Sequence, residues 1–194
     1  MRVSNTHKLV FVSVPKTGSH TGFKIMEDNF NGFKVWGHYH NVIVPSQYKD
    51  YRAFTFVRNP YDRVAALWNS IFCTGDSENH RKFYGWIGAK DFKSFCLWLS
   101  THPYEQLNWR IVLVKPQHVH LEPCNVKLYH VHTENMLEDF NKFLILNNIP
   151  IIDSVPWELK RPHKTFKELA DLECTAAINK WAGKDFEIFG YEKE

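Results

Sequence analysis

The sequence predicts a three-layer α/β fold in which a mainly parallel central sheet is flanked by helices. Three observations carry this expectation. Apolar runs rich in β-branched and aromatic residues are too continuous for half-exposed strands, each ends in a polar loop, and each loop opens a segment with helical apolar spacing. The first run, Lys8 to Val14 (KLVFVSV), stops at Pro15 and reads as a central strand. Thr21 to Phe30 follows, with Phe23, Met26 and Phe30 at helical spacing. The second run, Ala53 to Val57 (AFTFV), enters Arg58-Asn59-Pro60, and Pro60 suits the first position of a helix carrying Val64, Leu67, Trp68 and Ile71. Cys73 to Gly88 is polar and reads as a long excursion before a helix near Asp91 to Leu99. Lys127 to His132 alternates as a strand. Thr133 is the expected cap of a helix over Glu134 to Leu146, with Met136, Leu137, Phe140, Phe143 and Leu144 inward. Ile149 to Pro162 reads as loop, Thr165 to Trp181 as the last helix and Asp185 to Tyr191 as an aromatic tail.

A chain of 194 residues, 44% hydrophobic and 23% charged, fits one domain over 1–194 and leaves no room for a second full-sized one. The net charge of +3 falls short of the clustered Lys and Arg of a dedicated nucleic-acid binder, so an anionic small ligand is the better match. No stretch reaches the ~18 apolar residues of a membrane span, and the amino end lacks the apolar region of a signal peptide. Cys73, Cys96, Cys124 and Cys174 are far apart with no CxxC pair, which argues against zinc-ribbon and thioredoxin chemistry and for reduced thiols. Nothing in the pattern specifies an oligomeric state.

The strongest chemical signal is Pro15-Lys16-Thr17-Gly18-Ser19-His20-Thr21, a Gly-bearing loop between a strand and a helix. Backbone N–H groups of Thr17, Gly18, Ser19 and His20 can curl round an anion at the helix amino end, where the macrodipole also favours negative charge. Lys16 adds a point charge, and Ser19 and Thr21 add hydroxyls. A nucleoside-triphosphate loop, GxxxxGK[ST], places its Lys after the second Gly, beside the hydroxyl that holds Mg²⁺. Here the Lys precedes the Gly, which suits an anion handled without a metal.

VPKTGSH after one strand and FTFVRNPYDR at the end of a second resemble the paired 5′-phosphosulfate and 3′-phosphate motifs of the PAPS-dependent sulfotransferases. The pattern is most like the carbohydrate group that includes heparan sulfate 2-O-sulfotransferase. HTENMLEDF and GKDFEIFGYE resemble two further segments of that family, so the likeness runs from about Leu9 to Tyr191. The resemblance implies a P-loop-type fold and an enzyme that takes PAPS, releases 3′,5′-ADP and uses no metal. It implies that Lys16, Thr17, Gly18, Ser19, His20 and Thr21 hold the phosphosulfate and that Arg58 grips the 3′-phosphate, a task suited to a planar bidentate donor. Ala66 stands where the family commonly has Ser, so one 3′-phosphate hydroxyl is missing; Ser70 could replace it only if the helix end is tilted. Arg63 is expected to pair with a carboxylate beneath the loop. Lys160 to Thr165 resembles a basic loop that covers the nucleotide, which makes Arg161 and Lys164 candidate contacts.

Sulfuryl transfer to a hydroxyl needs in-line approach, charge stabilisation and removal of the acceptor proton. Trp36-Gly37-His38-Tyr39-His40 lies between the two motifs, and the resemblance places the general base at the Gly-His, so His38 outranks His40. His118 with His120 and His130 with His132 are i, i+2 pairs that would share strand faces; a Zn²⁺ or Cu²⁺ site is the rival to a strand-lining or acceptor-site role. Acceptor residues are expected from Cys73 to Gly88, including Asn79, His80, Arg81, Lys82, Tyr84 and Trp86, and from Asn108 to Leu121.

The expected activity is therefore sulfuryl transfer from PAPS to a carbohydrate or other polar acceptor. A nucleotide kinase-like phosphotransferase and a non-catalytic nucleotide- or RNA-binding module are the alternatives. The start of the first strand close to Met1 implies a cytoplasmic enzyme, with the Golgi lumen as the alternative if an anchor and stem precede this chain.

Overall fold

The computed structural model describes residues 1–35, 40–73, 87–102, 104, 113–156 and 164–194. Among these, the strands are β1 (Arg2–Ser4), β2 (Leu9–Val12), β3 (Phe33–Lys34), β4 (Arg52–Val57) and β5 (Leu128–His132). The helices are α1 (Ser19–Phe30), α2 (Pro60–Trp68), α3 (Phe92–Thr101), α4 (Gln117–Leu121), α5 (Met136–Leu146), α6 (Phe166–Leu169), α7 (Leu172–Trp181) and α8 (Gly183–Phe189). The chain divides into two compact units, Met1–Arg58 with Val119–Lys160, and Asn59–His118 with Arg161–Glu194.

The first unit is built on the sheet, in the order β3-β1-β2-β4-β5. β2 is parallel to β4 and β4 to β5, whereas β1 is antiparallel to both β2 and β3, so all strands but β1 run one way. Every side chain of β2 is buried because both faces are covered. Leu9 and Phe11 enter one apolar cluster, with Phe23, Ile25, Met26 and Phe30 of α1 and Phe140, Phe143 and Leu144 of α5. Val10 and Val12 enter another, with Val42 and Val44. This two-residue alternation between two buried faces is why the run reads as continuously apolar. Asn125 fixes the second face by accepting from Val44 N–H at 2.8 Å and donating to its carbonyl at 2.9 Å.

The second unit packs α2, α3, α7 and α8 around Leu67, Trp68, Phe95, Ile178 and Phe186. Pro60 opens α2 as predicted, and the Asn59 side chain accepts from Tyr61 N–H at 2.9 Å. Asp91 and Ser94 cap α3 reciprocally. α2 continues into a π-helical turn, Asn69–Cys73. Ser70 therefore leaves the helix at a different angle from the α-helical residues before it.

The α/β class and the mainly parallel sheet are what the chain forms, and several local expectations change. β1 and β3 are unpredicted, being too short to show alternation. Thr165 to Trp181 is two helices, because Thr165 and Glu168 cap one and the Asp171 carboxylate accepts from Cys174 N–H at 3.0 Å to begin another. Asp185 to Tyr191 is no tail: it is largely α8, closed by Gly190 in the left-handed region, with Phe186 and Phe189 buried at i, i+3. Thr133 begins a 3₁₀ turn, Thr133–Asn135, and is not the expected cap: Asn135 takes that position before α5, with no side-chain hydrogen bond. Leu137 in the first turn of α5 is exposed. The segment 74–86 of the expected excursion lies outside the described residues.

Gly22 sets how closely α1 approaches the sheet. A Cβ there would lie 2.3 Å from Cε1 and Cζ of Phe11, a ring already held against Phe23, Phe54 and Phe56. Gly22→Ala should lower stability by about 1–3 kcal/mol through overpacking. Urea unfolding checks this, and an unchanged midpoint would contradict the close approach.

Candidate active site

Parallel strands present their carboxyl ends together, and in open α/β sheets ligands bind at that edge. Val12 lies opposite Thr55 and Val57 opposite His132, so the exits of β2, β4 and β5 are in register along it. The loop leaving β2 places Lys16 at φ 66° and Gly18 at φ 81°, both left-handed. For Lys16 that conformation is strained, and such strain gathers at functional sites. The Val14 carbonyl holds the curl by accepting from Thr17 Oγ1 at 3.0 Å and Ser19 Oγ at 2.8 Å.

α1 starts immediately after Gly18 with no side-chain cap and no acidic residue in its first turn. Its first ladder bond runs from Gly22 N–H to the Gly18 carbonyl at 3.0 Å, so the N–H groups of Ser19, His20 and Thr21 precede the ladder. The positive end of the helix dipole is left unneutralised by protein carboxylates in this turn. Lys16 is half-buried. Thr17 is fully buried and Thr21 nearly so, whereas His20 is exposed with its ring edge toward Phe23. The hydroxyls of Thr17 and Ser19 shape the loop.

Arg58 follows β4 directly and is half-buried. His40 is also brought to this edge, its Nδ1 donating to the Ser13 carbonyl at 3.3 Å just beyond β2. His38 and Arg161 lie outside the described residues. Lys164 belongs to the second unit, where its carbonyl accepts from Asn69 Nδ2 at 3.3 Å. Arg63, also in the second unit, is fully buried and not a surface residue; Nη2 donates to the Leu113 carbonyl at 3.3 Å, and the guanidinium lies 5.8 Å over the Trp181 ring.

The histidine pairs divide. His118 and His120 lie on α4 and not on a strand, so their side chains diverge by about 200° around the helix. His118 Nδ1 donates to Asp185 Oδ1 at 2.6 Å, and this fully buried carboxylate also accepts the N–H groups of Gln117 and His118 at 2.8 Å each. His130 and His132 do share β5. Burial first, and the neighbouring His132 second, push the His130 imidazole below its ordinary pKa. Among the described residues no group of three or more His, Cys, Asp or Glu is arranged to hold a metal ion. Burial raises the pKa of Cys96 and Cys174, which makes both poor nucleophiles.

Sequence reasoning missed the β5–α5 junction as part of this site. A Cβ on Gly18 would meet Met136 Cε at 3.3 Å and Thr133 Cγ2 at 3.9 Å, so the junction is packed against the loop that precedes α1. Its signal was HTENMLEDF, read for family likeness and not for contact.

The carboxyl edge thus carries an uncapped helix end, a strained lysine and an arginine, which is the equipment of an α/β enzyme that takes an anionic nucleotide. The Sulfotransferase family model matches residues 1–192, and the chain belongs to that family. It is a sulfotransferase, and family membership implies PAPS as the sulfuryl donor. No curated protein and no solved structure matches the chain. The loop fits such a donor, since its backbone donors and Lys16 meet negative charge with no carboxylate in the first turn of α1 to oppose it. Among the described residues no helix is long and apolar enough to cross a membrane.

Proposed function

We propose that the protein moves the sulfuryl group of PAPS to a hydroxyl of a carbohydrate or other polar acceptor, in line and without a metal. The observation that carries this reading is the loop after β2, where Lys16 and Gly18 adopt left-handed conformations at the uncapped amino end of α1. PAPS, when bound, supplies the sulfuryl group and the 3′,5′-ADP leaving group. Thr17, Gly18, Ser19, His20 and Thr21 hold the phosphosulfate, chiefly through backbone N–H groups. Lys16 stabilises negative charge as it develops on the departing oxygen, and Arg58 selects the 3′-phosphate. Both units serve one domain, in keeping with a family match that runs through both. A cytoplasmic setting belongs to the same reading, since the cysteine spacing holds no CxxC pair and requires no oxidising compartment.

His38 takes the acceptor proton in this scheme. His40 is a second reading, favoured by its bond to Ser13: a carbonyl only accepts, so Nδ1 carries the hydrogen and Nε2 keeps the lone pair that a base needs.

Lys16→Ala should reduce turnover by roughly 10²–10³ at saturating PAPS, because its charge acts on the transition state; normal turnover would remove the loop from catalysis. Arg58→Ala should abolish the preference for 3′,5′-ADP over ADP in a binding titration, each charge-assisted bond being worth about 1.5–3 kcal/mol. Equal affinity of the unmodified protein for the two nucleotides would refute this role. Turnover of His38→Ala should fall by about 10²–10⁴ with 3′,5′-ADP affinity kept. A much larger loss in His40→Ala moves the base to His40. Labelled PAPS offered with oligosaccharides and small hydroxylated compounds tests the acceptor class.

A further inference from the structure

We propose that His132, held by Asp139, is a proton-gated ligand for the 3′-phosphate of the bound nucleotide, beside Arg58. The inference rests on the donor site proposed above and adds a residue and a pH dependence to it.

The placement comes from the sheet. His132 is the last residue of β5 and lies opposite Val57, the residue immediately before Arg58. The next residue, Thr133, reaches the loop side of the site, with Cγ2 3.9 Å from where a Gly18 Cβ would stand. His132 therefore sits on the carboxyl edge between the arginine strand and the junction packed on the phosphate loop. Its side chain is one-third exposed, so a ligand at the edge can reach the ring.

The chemistry comes from Asp139. Its Oδ2 accepts from His132 N–H at 3.2 Å and lies 2.8 Å from His132 Nδ1. A carboxylate only accepts, so Nδ1 carries a hydrogen. In the neutral ring Nε2 is then an acceptor, which repels a phosphate oxygen. Only the imidazolium presents an Nε2–H donor, and the carboxylate on the opposite ring atom favours that cation. Phosphate binding at His132 is thus coupled to proton uptake wherever the unliganded ring is neutral.

The surrounding charges set the balance. On α5, Lys142 Nζ bonds Glu138 at 2.8 Å and stands 3.7 Å from Asp139 Oδ1, so it draws on the same carboxylate without occupying Oδ2. On β5, His130 is held below its ordinary pKa and contributes little positive charge near neutrality. Glu134 lies in the turn after β5, and Arg58 and Lys16 supply positive charge from the neighbouring strand exits. A phosphate dianion would offset the repulsion between Arg58 and the imidazolium.

The sign of the effect follows from linkage. The bound phosphate raises the pKa of His132, so affinity is greatest with the ring protonated and falls as pH rises through the bound-state value. The ligand's own phosphates titrate near pH 6, so the unmodified protein is compared with variants that share this background.

The test is calorimetric titration of 3′,5′-ADP and of ADP from pH 6.5 to 8.5 with the full chain, His132→Gln, His132→Lys and Asp139→Asn. The expected result is a loss of about tenfold in 3′,5′-ADP affinity for His132→Gln at pH 6.5, shrinking toward pH 8.5, with ADP affinity unchanged. His132→Lys should keep affinity across the range, and Asp139→Asn should shift the pH dependence to lower pH. Buffers of different ionisation enthalpy should report more proton uptake in the unmodified protein than in His132→Gln, the difference belonging to the ring. If His132→Gln binds 3′,5′-ADP with the affinity, pH slope and proton uptake of the unmodified protein, the assignment is overturned. An equal loss for ADP overturns the 3′-phosphate assignment. Failure of the unmodified protein to bind 3′,5′-ADP at any pH instead overturns the donor site on which the proposal rests.

Discussion

The shared direction of β2, β4 and β5 is the constraint from which the site follows. Parallel strands must exit a sheet on one side, so the loop before α1, Arg58 and the β5–α5 junction reach the same edge although more than a hundred residues separate the first from the last. Register then does what chain proximity cannot. Val57 opposite His132 and Val12 opposite Thr55 place the three exits in line, and each exit leads to a polar residue or loop.

What keeps those exits in line is an aromatic layer behind them. Phe54 packs with Phe11, Phe140 and Phe143 at ring separations of 5.1, 4.9 and 5.2 Å, joining β2, β4 and α5. Full burial of each such ring contributes roughly 1.5–3 kcal/mol, so the four together exceed the cost of about 1–2 kcal/mol for a left-handed non-glycine residue such as Lys16. The strained loop can therefore persist because a rigid layer lies beneath it. The two hydroxyls on the Val14 carbonyl add local restraint without occupying the backbone N–H groups of the loop.

Two histidine–aspartate pairs show how similar chemistry takes different roles by location. Asp185 is fully buried and satisfied by His118 and two backbone N–H groups, so it secures the amino end of α4 to α8. That is a structural reason for an aspartate in the segment GKDFEIFGYE. Asp139 instead orients a ring that remains one-third exposed at the carboxyl edge. Burial commits the first pair to the fold, whereas the second keeps its imidazole partly exposed.

The sequence by itself determined the alternation of strands and helices, the Gly-bearing loop at Lys16–Thr21 and the arginine at a strand exit. These are local facts, written in apolar period and in the residues that interrupt it. Pro60 could be read as a helix start because its ring permits little else. Local pattern could not reveal β1 and β3, which are too short for a period, or the break that Asp171 introduces between α6 and α7. Nor could it distinguish His118-x-His120 on a helix from His130-x-His132 on a strand, since two residues of spacing are compatible with both. Only the tertiary structure decided that Gly18 meets Thr133, that Gly22 meets Phe11 and that His132 is held by Asp139 beside Arg58's strand. Those pairings depend on strand register and on which faces are covered, and both are set by packing between segments far apart in the chain.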